Sequence, residues 1–210
     1  MILAALLLAA SEPASEPASV IDAERAFAAD AQEFGQWTAF AKWAREDGVL
    51  VGRSVVNAKE FAGAQENPAQ ALRWWPVRSF QSCDGKMAVN IGGWEDPESG
   101  HAGRFHTVWS LGEEGWRYVV DLGATGAAAL PDTGGVEIER ATCRNRENAA
   151  MDKMAPPSLD PLRGASDDGT LLYVAGVGPD GDKHLMITLW DGDHPERVYV
   201  FETPRGKPAQ

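Results

Sequence analysis

The chain has little of what marks several common function classes. Bases are scarce: 19 Lys and Arg stand against 31 Asp and Glu in 210 residues, a formal net charge of -12. Nucleic acid and anionic membrane surfaces reward clustered Lys and Arg, and no local basic cluster offsets the balance, so neither is an expected partner. A long hydrophobic run is missing too. The N-terminal run Ile2–Ala10 is nine residues, whereas a membrane-spanning helix needs about 20. It matches instead the apolar core of a secretory leader, with cleavage expected near Ala10 or Ser11. Residues 1–18 therefore read as a signal peptide and spacer, and the rest as a periplasmic or secreted protein. Cysteine is limited to Cys83 and Cys143, without a CxxC motif or a Cys/His spacing suited to zinc. An exported chain could join them in a disulfide; two buried free thiols are the plainer reading. The four histidines show no metal spacing. There is no Gly-rich phosphate loop, no nucleophile elbow and no HExxH, so neither metal nor cofactor is expected. "DGDK" and "DGDH" lack the remaining ligands of a calcium loop and read as turns.

What the chain does have is a sizeable apolar stock, 44% hydrophobic with eight Trp, enough for a real core. Ser19 and Asp22 form a capping-box pattern ahead of Val20, Ala23, Phe27, Ala31 and Phe34, which recur at helical spacing. Gly35 breaks that helix and "QWTAFAKWA" restarts it. After a short strand, "VLVG", Asn57 and Glu60 bracket a third helix, and Asn67-Pro68 suggests one further turn. From Arg73 the period becomes two. "RWWPVRSFQS", "KMAVNIGGWE", "GRFHTVWSL" and "WRYVVDLG" are strand-like runs separated by hairpin-turn residues. Helices followed by an antiparallel meander mean an α+β fold, with the helices on one face of the sheet. Gly92-Gly93 marks a bulge or bend. "VEIERATCR" follows a flexible, small-residue stretch. "TLLYVAGVGP", "KHLMITLWDG" and "ERVYVFETP" should then form a small antiparallel β-meander. The expected units are residues 19–127, and an appendage at 132–205 with a flexible segment at 145–169.

Three N-terminal helices on a strongly curved antiparallel sheet resemble the nuclear transport factor 2-like (SnoaL-like) superfamily. The segments "ERAFAADAQEFGQWTAFAKWAREDGVLV", "WWPV", "GGWE" and "FHTVWSL...GWRYVVDLG" carry the resemblance, over about residues 20–124. The chain is similar within it to an exported bacterial family of unknown function. The resemblance implies a cone with an apolar pocket between helices and sheet, and a homodimer paired through the sheet. Superfamily members include cyclases, ketosteroid isomerase and dehydratases, so fold alone does not fix function.

The candidate site follows from the hairpin "GRFHTVWSLGEEGWRYVVDLG". Strict alternation pairs His106 with Asp121 and makes them neighbours, a candidate catalytic base and its orienter. The same alternation turns both to the outer face, because the aromatic face must meet the helices. Val120 and Leu122 then point inward, where catalytic relatives often present histidines. The expected pocket is walled by Trp37, Phe40, Trp74, Trp94, Phe105, Trp109, Trp116, Tyr118 and Val120, with Asn90 and Thr107 as its polar contacts. Asp30, Glu46 and Asp47 read as solvated rim acids. The reading is an exported protein that binds a hydrophobic small molecule. The alternatives are a cyclase, isomerase or dehydratase-type enzyme using general acid–base catalysis, and a dimeric interaction protein without a ligand.

Overall fold

The structure is a computed structural model that describes residues 17–125, 128–149, 162–178 and 180–203. Most of the leader and the centre of the 145–169 segment lie outside the described residues. Helix α1, Val20–Phe34, starts where Ser19 Oγ accepts from the Asp22 backbone N–H at 3.2 Å, and buries Val20, Ala23, Glu24, Phe27 and Ala31 as one stripe. Gly35 ends it at φ 99, a conformation that suits glycine. Helix α2, Gln36–Trp43, then lacks a side-chain cap of its own. The Asn67 Oδ1 fills that role, accepting from the N–H groups of Trp37 at 2.7 Å and Thr38 at 3.3 Å. Asn67 thus caps a distant helix instead of opening a turn. After β1, Ala44–Val51, and β2, Val55–Asn57, helix α3 spans Ala58–Gly63, with Asn57 Oδ1 accepting from Glu60 N–H at 3.0 Å.

Strands β3 (Arg73–Gln81), β4 (Met87–Glu95), β5 (Ala102–Gly112) and β6 (Gly115–Thr125) form the expected antiparallel meander. The sheet is larger and mixed, however. Its order is β2-β1-β6-β5-β4-β3-β7, with β1 parallel to β6, and β7, Glu137–Arg140, parallel to β3. The "VEIER" strand therefore belongs to this sheet, not to the appendage. Through Gly92-Gly93 the β4–β5 register is unbroken; the irregularity lies opposite, between Pro76 and Arg78 of β3. The glycines serve close approach, since a methyl group at Gly92 would collide with the Trp75 carbonyl and the Phe105 ring.

A second sheet has the order β11-β10-β9-β8, all antiparallel: β8 Leu162–Ala165, β9 Leu171–Val177, β10 Lys183–Trp190 and β11 Pro195–Glu202. Strand β8 occupies sequence expected to be flexible. This sheet packs on the outer face of the first one, which explains why β4 is buried along nearly its whole length. Two cores result. Helices α1 and α2 enclose Phe27, Trp43, Trp109, Trp116 and Tyr118. Between the sheets lie Phe80, Ile91, Val108, Val120, Leu122, Leu185, Ile187 and Phe201. The outer face of the first sheet is thus covered by strands of the same chain. Cys83 and Cys143 are joined in a disulfide across a separation of 60 residues, so the reading of two free thiols is corrected.

Candidate functional site

The site is built by one irregularity in the β5–β6 hairpin. From the turn, Leu111 faces Trp116 and Trp109 faces Tyr118, as alternation requires. Then the register slips: Val108 pairs with Val120, leaving Val119 as an extra residue. Both valines are buried toward the second sheet. Past this β-bulge every side chain of β6 changes face. Asp121 now opposes Thr107 and Leu122 opposes His106. The expected His106–Asp121 pair does not form. Asp121 and Gly123 line the cavity on the helix side, whereas Val120 and Leu122 lie in the core between the sheets.

The cavity under the helices has a volume of about 250 Å³, walled by Phe27, Trp37, Phe40, Leu72, Trp74, Trp94 and Phe105, with Gln36, Asp121, Thr125 and Lys183 as its polar groups. An adjoining cleft of about 450 Å³ runs along the end of β1 to Phe61 and Arg53. The two share Trp37, Phe40, Asp121, Gly123 and Lys183. Five expected wall residues (Trp37, Phe40, Trp74, Trp94 and Phe105) meet there. Trp109, Trp116 and Tyr118 pack behind the wall as core, and Asn90 and Thr107 are fully buried. Thr107 acts through Asp121, donating its hydroxyl to Oδ2 at 2.7 Å. Desolvation pushes the Asp121 carboxyl up to about 6, against the pull of that hydrogen bond and of the Lys183 charge. Lys183, from the second sheet, donates to the Gly123 carbonyl, and burial lowers its ammonium below the ordinary lysine range.

Behind the wall sits a second carboxylate that the alternation argument does not single out. Glu24 is fully buried, with Trp109 Nε1 donating at 2.7 Å, Trp74 Nε1 at 3.0 Å and Asn90 Nδ2 at 3.1 Å. Burial pushes it up to about 7 despite those three donors, and the nearby Asp121 charge adds to the rise. The sequence does carry a signal for it: Glu24 follows Val20 by four residues and precedes Phe27 by three, which puts it on the apolar stripe of α1. Its effect on the site is to hold the Trp74 indole in the cavity wall.

His106 is on the opposite face, buried beneath Phe201, with Nε2 3.0 Å from the Tyr199 hydroxyl. Desolvation lowers it to about 3, so it is a neutral core imidazole at neutral pH. Asp30 accepts from Lys42 at 2.7 Å and from Trp43 Nε1 at 2.6 Å, Glu46 pairs with Lys59 at 2.6 Å, and Asp47 pairs with Arg45. In the "DGDH" turn, Asp191 accepts from the N–H groups of Asp193 and His194, both at 2.8 Å, which is turn chemistry.

No family model matches the chain, and no curated protein matches it. Solved structures do, at the level of fold. The chain is similar to a protein of unknown function from the DUF3225 family of Pectobacterium atrosepticum, at 17% identity over 53% of this chain and 91% of that one, TM-score 0.41. It is also similar to an NTF-2 like protein of unknown function from Shewanella oneidensis, at 14% identity over 47% of this chain and 91% of that one, TM-score 0.39. Both similarities are distant.

Proposed function

We propose that the protein binds a small apolar molecule between its helices and its seven-stranded sheet. The observation that carries this is the unfilled cavity of about 250 Å³, whose walls are aromatic and whose floor holds the carboxylate of Asp121. Large rings lining a space that they do not fill offer flat apolar surface to a ligand, and a few placed polar groups orient it. Gly123 supplies the test. It lines the cavity, and a Cβ added there would meet nothing within 4 Å. Gly123→Leu should keep the fold and fill the site. The neutral fluorophore N-phenyl-1-naphthylamine should bind the full chain with one-site stoichiometry, and Gly123→Leu should weaken it at least tenfold. Equal binding by both proteins would sink the reading.

A second reading is favoured by Asp121 itself. A carboxylate pushed up to about 6, hydrogen-bonded by one hydroxyl and set among apolar walls, suits a general base. Proton transfer of the cyclase, isomerase or dehydratase type would then run through Asp121, with His106 taking no part. Asp121→Asn should abolish turnover of any carbonyl substrate found by screening while leaving its binding within a few-fold; turnover retained by the variant would exclude this role.

Export belongs to the same proposal. Disulfides persist in oxidising compartments and are rare in a reducing cytosol, and the Cys83–Cys143 bridge supports a periplasmic or secreted protein.

A further inference from the structure

The second sheet does more than cover the outer face: it sends one side chain around to the cavity. Lys183 begins β10, yet it lines both the cavity and the adjoining cleft. One of its three N–H donors goes to the Gly123 carbonyl, which leaves two for another acceptor. Among the described residues no carboxylate comes within ion-pair distance of Lys183, although Asp121 is near enough for the two charges to affect each other. Arg53 stands on the rim of the same cleft, and it too has no ion pair among the described residues. In a chain with 31 acids and 19 bases, this cleft reverses the balance, with two cations to the single carboxylate of Asp121.

We propose that the ligand is a flat apolar molecule bearing one anionic group, a carboxylate or its sulfonate equivalent, which Lys183 binds where the two clefts meet. This rests on the cavity being a binding site at all. The ring system lies against Trp37 and Phe40, and the head group takes the free donors of Lys183, with Arg53 flanking it. A half-buried ammonium with one backbone acceptor gains most from such a partner, because a charge-assisted hydrogen bond outweighs a neutral one. Asp121 is compatible with the arrangement. When the anion arrives, Asp121 takes up a proton and turns from acceptor to donor toward the head group, as paired carboxyl groups do.

The test uses two probes with one ring system: 1-anilinonaphthalene-8-sulfonate, which is anionic, and N-phenyl-1-naphthylamine, which lacks the sulfonate. Both are titrated into the full chain at pH 7.5, and the ratio of their affinities is read. The wild type should favour the sulfonate. Lys183→Met should lower the sulfonate-to-neutral ratio about tenfold, and Lys183→Arg should restore most of it. Asp121→Asn, which fixes a neutral side chain, should raise the ratio several-fold. A melting curve for each variant establishes that it is folded. If the neutral probe binds and Lys183→Met leaves the ratio unchanged, or if the wild type favours the neutral probe, the anionic head group is wrong and the binding site stands. If neither probe binds, both proposals fall.

Discussion

Three buried titratable groups pull stability in opposite directions as pH changes. Glu24 is pushed up to about 7 and Asp121 to about 6, while His106 is lowered to about 3. Both acids bind protons more tightly in the folded chain than in the unfolded one. Their burial therefore costs most above pH 7, and stability rises as pH falls through 7 and 6 toward the unfolded values near 4. His106 acts the other way, since the unfolded chain gains a proton below about 6.5 that the folded chain refuses. The two acids outnumber the histidine. Between pH 8 and 5.5 the Glu24 contribution alone is about 2 kcal/mol, so urea unfolding should give a larger stability at pH 5.5 than at pH 8. Glu24→Gln removes that titration, leaving Asp121 and His106 to offset each other, and its stability should be nearly flat over the same range. A slope retained in the variant would mean that Glu24 is not the group responsible. Glu24 was legible as a misfit in an apolar stripe. Its pairing with Trp74 and Trp109 was not, because those donors arrive from 50 and 85 residues away.

The hairpin shows how one extra residue defeats a pattern argument that is otherwise sound. Alternation correctly put Phe105, Thr107 and Trp109 on the inner face of β5, and Trp116 and Tyr118 beside them on β6. It failed after Tyr118, where the consecutive Val119 and Val120 both sink into the outer core. Two adjacent buried β-branched residues in a strand that otherwise alternates were the trace of the bulge, yet they read equally well as a strand covered on both sides. The boundaries of α1 and α3 are marked by their own caps, Ser19 and Asn57, and α2 by the break at Gly35, so the helices could be read locally; a bulge depends on the partner strand. The glycines of this sheet separate by the same kind of context. Gly92 sits where a methyl group would strike the Trp75 carbonyl and the Phe105 ring, whereas Gly123 faces open space. Gly92→Ala should therefore destabilise by about 2–3 kcal/mol through overpacking, and Gly123→Ala should change stability by less than about 0.5 kcal/mol. Guanidinium unfolding of the two variants side by side would check the contrast, and equal effects would contradict it.

The largest departure from the sequence reading concerns how the two halves are joined. A tail that looked like an appendage gives one strand, β7, to the edge of the first sheet and four to a sheet laid across its outer face. That cover makes His106 a core residue and delivers Lys183 to the cavity. The join is fixed at one end by the Cys83–Cys143 bridge and by a polar cluster beside it. There the Thr170 Oγ1 accepts from Cys83 N–H at 2.9 Å, and Asp168 accepts from Asp84 N–H at 2.8 Å. Neither the bridge nor the cluster follows from spacing alone, because loop length does not say which segments meet. Their consequence can be measured. Closing a loop of 60 residues restricts the unfolded chain by about 4 kcal/mol on the chain-entropy account. The paired variant Cys83→Ala/Cys143→Ala should therefore lower stability by about that amount, or by less if the polar cluster holds the same segments together. The folded wild type should show no reactive thiol until it is denatured and reduced, and then two. Because the bridge ties the β3–β4 turn to the segment after β7, where Thr142 N–H donates to the Trp190 carbonyl of β10 at 3.0 Å, the loss should appear first in the second sheet: the amides of β8 and β9 should lose hydrogen-exchange protection in the variant before those of α1 and α2. Uniform loss across both halves would mean instead that the helices and both sheets unfold as one cooperative unit, with the cavity dependent on the second sheet for its existence as well as for its lysine.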